Sequence, residues 1–178
     1  MAQGTKSRAN QTVRDLVISM SVVGLFVAFL FLIVLRPTPD PVKVVDVAGP
    51  AQVAQSAEVF EVLVPVGLPE GWRATSARFT PGAEPGTGTW FNGYLNPADQ
   101  FVAVTQQDFD IEDFVVEQTD AGQPDGTVTV DGRTWQRYSS NETGERSLVD
   151  TTAQVTTVVT GTVSYEELAT FAATLQPA

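Results

Sequence analysis

Asp108, Asp110 and Glu112 stand at alternate positions in QQDFDIEDF, with Asp113 beside them. Alternating carboxylates are how a calcium loop presents its oxygens, but such a loop also needs Gly at its sixth position and Glu at its twelfth. Asp113 and Thr119 occupy those places, so the four acids read as the charged first turn of a helix, where the macrodipole favours them. Glycoside hydrolysis asks only for two carboxylates at a suitable separation, and nothing here sets one pair apart in an apolar setting. Acyl transfer lacks its parts: there is no G-x-S-x-G turn, no His, and no Lys after Lys43. The chain also has no Cys, which removes thiolate nucleophiles, disulfides and, together with the missing imidazoles, nearly all zinc, copper and iron sites. The expectation is no catalytic residue, no metal and no cofactor.

The side chains left for recognition are the large amphipathic ones. Trp72, Trp90, Tyr94 and Trp135 are candidate contacts for a ligand or partner, able to line a peptide or carbohydrate groove. In a sheet of this size the same residues more often fill the core. Asn141-Glu142-Thr143 matches a glycosylation sequon, a three-residue pattern expected by chance and given no weight.

Charge divides the chain. Lys and Arg total 10 against 21 Asp and Glu, a net of −11 over 178 residues. Lys6, Arg8 and Arg14 make the first 15 residues cationic, whereas from Val44 onward 5 basic residues face 19 acidic ones, a net of −14. So anionic a domain repels phosphate backbones and acidic head groups, and no nucleic-acid partner is expected.

Between the two lies LVISMSVVGLFVAFLFLIVL, Leu16 to Leu35, with no charged residue. A helix of about 20 residues spans ~30 Å of hydrocarbon, so lipid is the expected partner of this segment. A soluble helix would keep a polar face. A cleavable signal peptide would show a small-residue cleavage site after the run, where the sequence has RPTPDPV. The basic bias before the run places the N-terminus in the cytoplasm and the remainder outside it. Residues 1–15 read as a cytoplasmic tail, 16–35 as the transmembrane helix, 36–59 as a Pro-rich juxtamembrane spacer and 60–178 as the extracytoplasmic domain. Pro37, Pro39 and Pro41 stiffen the exit from the bilayer. AQVAQSAEVF within the spacer suits a brief helix or an irregular stretch.

Within the domain, WRATSARF, TWFNGYLN and QFVAVTQQ carry strand signals joined by short links. Ile111, Phe114 and Val115 form the stripe of a short helix. GTVTVDGRTWQRYSS reads as a hairpin turning at Asp131-Gly132, GERSLVDTT and AQVTTVVTGT as two further strands. Ser164 with Glu167 forms the capping-box pattern ahead of YEELATFAATL. The order β-β-β-α-β-β-β-β-α predicts an α+β domain, a single antiparallel sheet with its short helices packed on one face.

The segments TVRDLVISMSVVGLFVAFL, RPTPDPVKVVD, GLPEGWRATSARF, TWFNGYLNP, QFVAVTQ, TVTVDGRTWQRY and VVTGTVSYEELATFAATLQP resemble an actinobacterial family of single-pass membrane proteins catalogued as a domain of unknown function. The C-terminal part is also similar to the outer domains of some membrane-anchored anti-sigma-type and lipoprotein-like regulators. Both resemblances imply the topology above and neither assigns chemistry. The expected function is a non-enzymatic binding or scaffolding domain of the cell envelope, with an envelope or membrane protein as partner. A tethered receptor for a small ligand or glycan is the alternative, and a carboxylate-based hydrolase a third.

Overall fold

The computed structural model describes residues 16–27, residue 29 and residues 43–178. Residues 16–27 are helical and exposed along their whole length, among them Leu16, Ile18, Met20, Leu25 and Phe26. Among the described residues no helix is long and apolar enough to cross a membrane. The remainder of the Leu16 to Leu35 run, residue 28 and residues 30–35, lies outside the described residues, as do the tail 1–15 and most of the Pro-rich exit. The chain divides into two units, and the second, Val42–Ala178, is described by itself below.

Its main sheet has seven strands: β2 Arg73–Pro81, β3 Gly88–Leu95, β4 Phe101–Gln107, β5 Gln123–Val130, β6 Arg133–Ser139, β7 Arg146–Thr151 and β8 Thr156–Gly161. The spatial order is β2-β3-β4-β8-β7-β6-β5, with every neighbouring pair antiparallel. Two meanders therefore meet at β4 and β8, where Val104 lies opposite Val159. Short links explain each meander, since consecutive strands two to six residues apart pair most easily. The longer passage from β4 to the far edge carries a helix, α2 (Ile111–Gln118). This strand and helix order is the one expected from the sequence.

The helices do not share one face, which corrects that expectation. Phe114 of α2 packs on Val149 and Val158, whereas Leu168 and Phe171 of α3 (Tyr165–Ala173) pack on Leu148 and Val159. Adjacent residues of a strand point to opposite faces, so the pairs Leu148↔Val159 and Val149↔Val158 put α3 and α2 on opposite sides. The physical signal lies in TTVVTG of β8, buried at all six positions. A strand covered on both faces reads as a continuous apolar run, while one with a solvated face alternates.

Two further elements extend the domain at its start. α1 (Ala48–Ser56) buries Ala51 and Ala54 in a cluster with Val62 and Trp90, so this part of the segment read as spacer packs into the domain ahead of Phe60. β1 (Leu63–Pro65) pairs antiparallel with β9 (Leu175–Pro177), joining the two ends of the domain in a ribbon. Both strands are three residues long, too short to leave a periodic signature.

Local chemistry fixes the turns. Asp131 and Gly132 have φ 47° and 78°, the paired positive values that a type I′ hairpin requires. The α3 capping box is complete: Glu167 N–H donates to Ser164 Oγ at 3.3 Å and Ser164 N–H to Glu167 Oε2 at 3.2 Å. α2 ends in a Schellman arrangement, with Ala121 N–H donating to Val116 O at 2.8 Å and Asp120 N–H to Glu117 O at 3.2 Å. Asp120 takes the left-handed conformation, φ 53°, where Gly is usual, and its carboxylate accepts from Ser140 Oγ at 2.8 Å and Thr143 Oγ1 at 2.9 Å.

β1 is held to the main sheet through one peptide group on each side of Leu63. Its N–H donates to Oε1 of Gln106 at 2.7 Å, and its C=O accepts from Nε1 of Trp90 at 3.0 Å. Gln106 and Trp90 are cross-strand partners and both fully buried. Gln106→Leu keeps the volume and orphans the Leu63 N–H, so urea unfolding is expected to show a loss of roughly 2 kcal/mol. With Trp90→Phe added, the two effects should fall short of additive because both act on Leu63; additive losses would refute the clamp.

Candidate functional site

The aromatic candidates lie in the core. Trp90 is wholly buried and Trp135 is 2% exposed. Neither presents a face to a dissolved ligand. Trp72 is half-buried and stacks on Phe171 at 5.5 Å between centroids, and Tyr94 meets the same ring edge-on at 5.6 Å. Thus Trp72, Tyr94 and Trp135 share the α3-side core, while Trp90 belongs to the α1 cluster. Of the four, Tyr94 also borders a cleft.

Two of the four acids fit the helix-turn reading, while Asp110 stands at the N-cap with no side-chain cap bond and Asp108 precedes the helix. Asp108 accepts from Gly88 N–H at 3.0 Å and so closes the β3–β4 end of the sheet, while Glu112 and Asp113 decorate the exposed first turn of α2. Among the described residues, no three His, Cys, Asp or Glu side chains converge as a metal site. The five arginines of the domain are all engaged. Arg73, Arg133 and Arg137 pair with Asp99, Asp150 and Asp125; Arg78 lies 4.1 Å from the Phe91 ring centroid; Arg146 donates to Val163 O at 3.4 Å.

Three clefts are relevant. One, about 530 Å³, opens between the β5–β6 hairpin and α3, lined by Val128, Val130, Arg137, Tyr165 and Ala169. Arg137 bonds Asp125 at 3.0 Å and sits 3.8 Å over the Tyr165 ring, its Nε being buried without a partner among the described residues, and Tyr165 Oη donates to Tyr138 O at 2.8 Å. Burial, then the neighbouring Asp125 carboxylate, raises the Tyr165 pKa. A second, about 430 Å³, has a mixed lining that includes Phe60 and Val155 beside Glu61, Gln106 and Arg133, its cation paired with Asp150.

The third, also about 530 Å³, lies between α1 and β1. Val47, Ala48 and Ala51 form one wall, Val64 and Pro65 the other, with Gln52, Gln55, Tyr94 and Ala178 completing it, and Gln55 Nε2 donates to Ala178 O. Its size falls in the range of small-molecule sites, roughly 300–1,000 Å³. Tyr94 is the one group there with a hydroxyl. Its Oη accepts from Asn92 Nδ2 at 2.8 Å, and among the described residues it donates to none. Asn92 is itself fully buried, and its Oδ1 has no partner among them. Sequence reasoning singled out Tyr94 for its amphipathic side chain; the Ala-rich α1 wall had no signal beyond a brief helix.

The fold and this cleft define an α+β domain with an antiparallel sheet, covered on both faces and holding an apolar recess with one hydroxyl donor. By its sequence the chain belongs to the family described as Protein of unknown function (DUF4245), which matches residues 8–175. No curated protein matches it.

Burial holds the Tyr94 phenol neutral and raises its pKa to about 12, the bond from Asn92 opposing in part. The folded state thus keeps its proton more tightly than the unfolded chain, whose tyrosine ionises near 10. That contribution to stability is complete below pH 10 and lost as pH rises from 10 to 12. Ultraviolet titration should show one phenol ionising near pH 12 that vanishes in Tyr94→Phe. A spectrum unchanged by that substitution would contradict the assignment.

Proposed function

We propose that this chain is a single-pass membrane-anchored protein of the cell envelope, with its acidic domain outside the membrane as a non-enzymatic binding module. The α1–β1 cleft is its ligand site. The observation that carries the site is Tyr94, buried at the edge of an apolar recess with a hydroxyl proton unspent among the described residues. A donor at the edge of an open cleft meets water, and a ligand acceptor would take that water's place.

Support for the anchor comes from the uncharged run Leu16 to Leu35, whose described part is helical and apolar on every side. A helix with no polar face suits lipid better than water. The cationic first 15 residues favour the cytoplasmic side. A receptor role for a small ligand remains within this reading. A glycan platform is disfavoured by the burial of Trp90 and Trp135, since sugar rings stack on exposed aromatic faces.

The absence of Cys from the chain makes topology directly measurable. Single Ser7→Cys and Gln154→Cys variants, expressed in spheroplasts and treated with a membrane-impermeant maleimide, should label differently. Gln154→Cys, at an exposed turn of the domain, is expected to react in intact cells and Ser7→Cys only after lysis. Labelling of Ser7→Cys alone in intact cells would overturn the orientation.

A further inference from the structure

We propose that the α1–β1 cleft takes one aliphatic chain bearing an ester or amide carbonyl, supplied by an envelope lipid with an uncharged head. The proposal rests on the binding reading above and names its ligand. Wall chemistry selects the chain: Val47, Ala48, Ala51, Val64 and Pro65 present only carbon, and no charged side chain lines the recess. An elongated hydrocarbon is the occupant whose transfer from water such a surface favours, at roughly 25 cal/mol per Å² buried.

Tyr94 selects the carbonyl. Asn92 Nδ2 already fills an acceptor position on its oxygen, so what the hydroxyl offers is its proton. An acceptor-only group, the C=O of an ester or amide, complements that donor without leaving a polar hydrogen unpaired in the recess. Charge selects the head. The domain carries a net −14 from Val44 onward, and the polar groups lining the cleft besides Tyr94 are the neutral amides of Gln52 and Gln55 and the main-chain oxygen of Ala178, an acceptor that Gln55 Nε2 already meets. A phosphate or carboxylate head would meet repulsion there without a cation in the lining.

The chain length permits the encounter. Residues 36–46 separate the end of the apolar run from Val47, a contour of at most about 40 Å. Tethering at that reach raises the effective concentration of bilayer lipid at the cleft.

The test uses the full chain in a fluorinated surfactant, whose chains mix poorly with hydrocarbon, and a monoacylglycerol carrying a photoreactive diazirine near the end of its acyl chain. Crosslinked peptides from residues 47–55 and 63–65 are expected, with saturable formation. Ala48→Trp, which fills the mouth from an exposed position, should weaken capture about ten-fold, or 1.4 kcal/mol. Val116→Trp, on the exposed side of α2, should leave it unchanged. Tyr94→Phe keeps the ring and removes the donor, and about a five-fold loss is expected for the ester probe. A diazirine alkane without a carbonyl should bind both forms equally. Adducts confined to residues 16–35, no adducts at all, or capture indifferent to Ala48→Trp would each overturn the lipid-chain site. Equal ester binding by Tyr94→Phe would overturn the carbonyl contact. The maleimide labelling of the anchored protein is independent of all these outcomes, so a failed lipid site and a failed topology are told apart.

Discussion

The domain depends on the two peptide groups that flank Leu63 being satisfied by side chains. Leu63 lies over the sheet, where its N–H and C=O would otherwise be buried without water, and Gln106 and Trp90 meet them at 2.7 and 3.0 Å. Neighbouring positions opposite one another on β3 and β4 thus grip the first strand as a clamp. Gln106 spends its amide as well, donating to Glu61 O at 3.2 Å. With β1 fixed, β9 has an edge to pair with, Val62 and Leu63 close the core, and Val64 and Pro65 stand as one wall of the cleft. A fully buried glutamine is costly unless its hydrogen bonds are made, and here they position the ribbon on the face of the sheet.

Charge is used sparingly and locally. Each arginine of the domain solves a neighbouring problem, by pairing an acid, covering an aromatic face or capping a carbonyl. Most exposed ion pairs contribute less than about 1 kcal/mol, so their effect is to hold loops and hairpin edges in register. The remaining carboxylates give the surface its strong negative field. The outer edges of the sheet are protected by other means: β5 carries Pro124 and a bulge before Thr127, and Val45 N–H covers part of β2 by donating to Ala74 O at 3.0 Å.

Much of this was legible in the residues. Asp131-Gly132 dictates its own turn because both positions must take positive φ, and Ser164 with Glu167 announces α3 because the cap is a local exchange of two bonds. Ile111, Phe114 and Val115 disclosed α2, and the strand order followed from short links and periodicity. Long-range facts were not legible. TTVVTG shows that β8 is buried on both sides, yet which helix covers which side depends on the crossover after β4, and no local pattern encodes that. β1 and β9 gain their identity only by meeting across the whole domain. The candidate aromatics were correctly marked as large amphipathic groups, while their burial is decided by partners distant in sequence, Leu63 for Trp90 and Phe171 for Trp72 and Tyr94.

That burial also explains why the recess lies where it does. Without disulfides the domain must be held by apolar packing, and a buried aromatic removes about 150–250 Å² from water, worth roughly 4–6 kcal/mol as an upper figure. The sequence places Trp72, Tyr94, Trp135 and Phe171 in the larger core beneath α3, and Trp90 with the partly buried Phe60 and Phe79 in the cluster of α1. α1 meets the sheet with Ala51 and Ala54, side chains too small to fill the gap up to Val64 and Pro65. Ala51 lines the cleft and is too short to close it, so the space is the consequence of a small residue on a helix that already has a tryptophan to rest on. Tyr94 belongs to the same compromise: its ring serves the core, its hydroxyl oxygen accepts from Asn92 at 2.8 Å, and the residue borders the cleft.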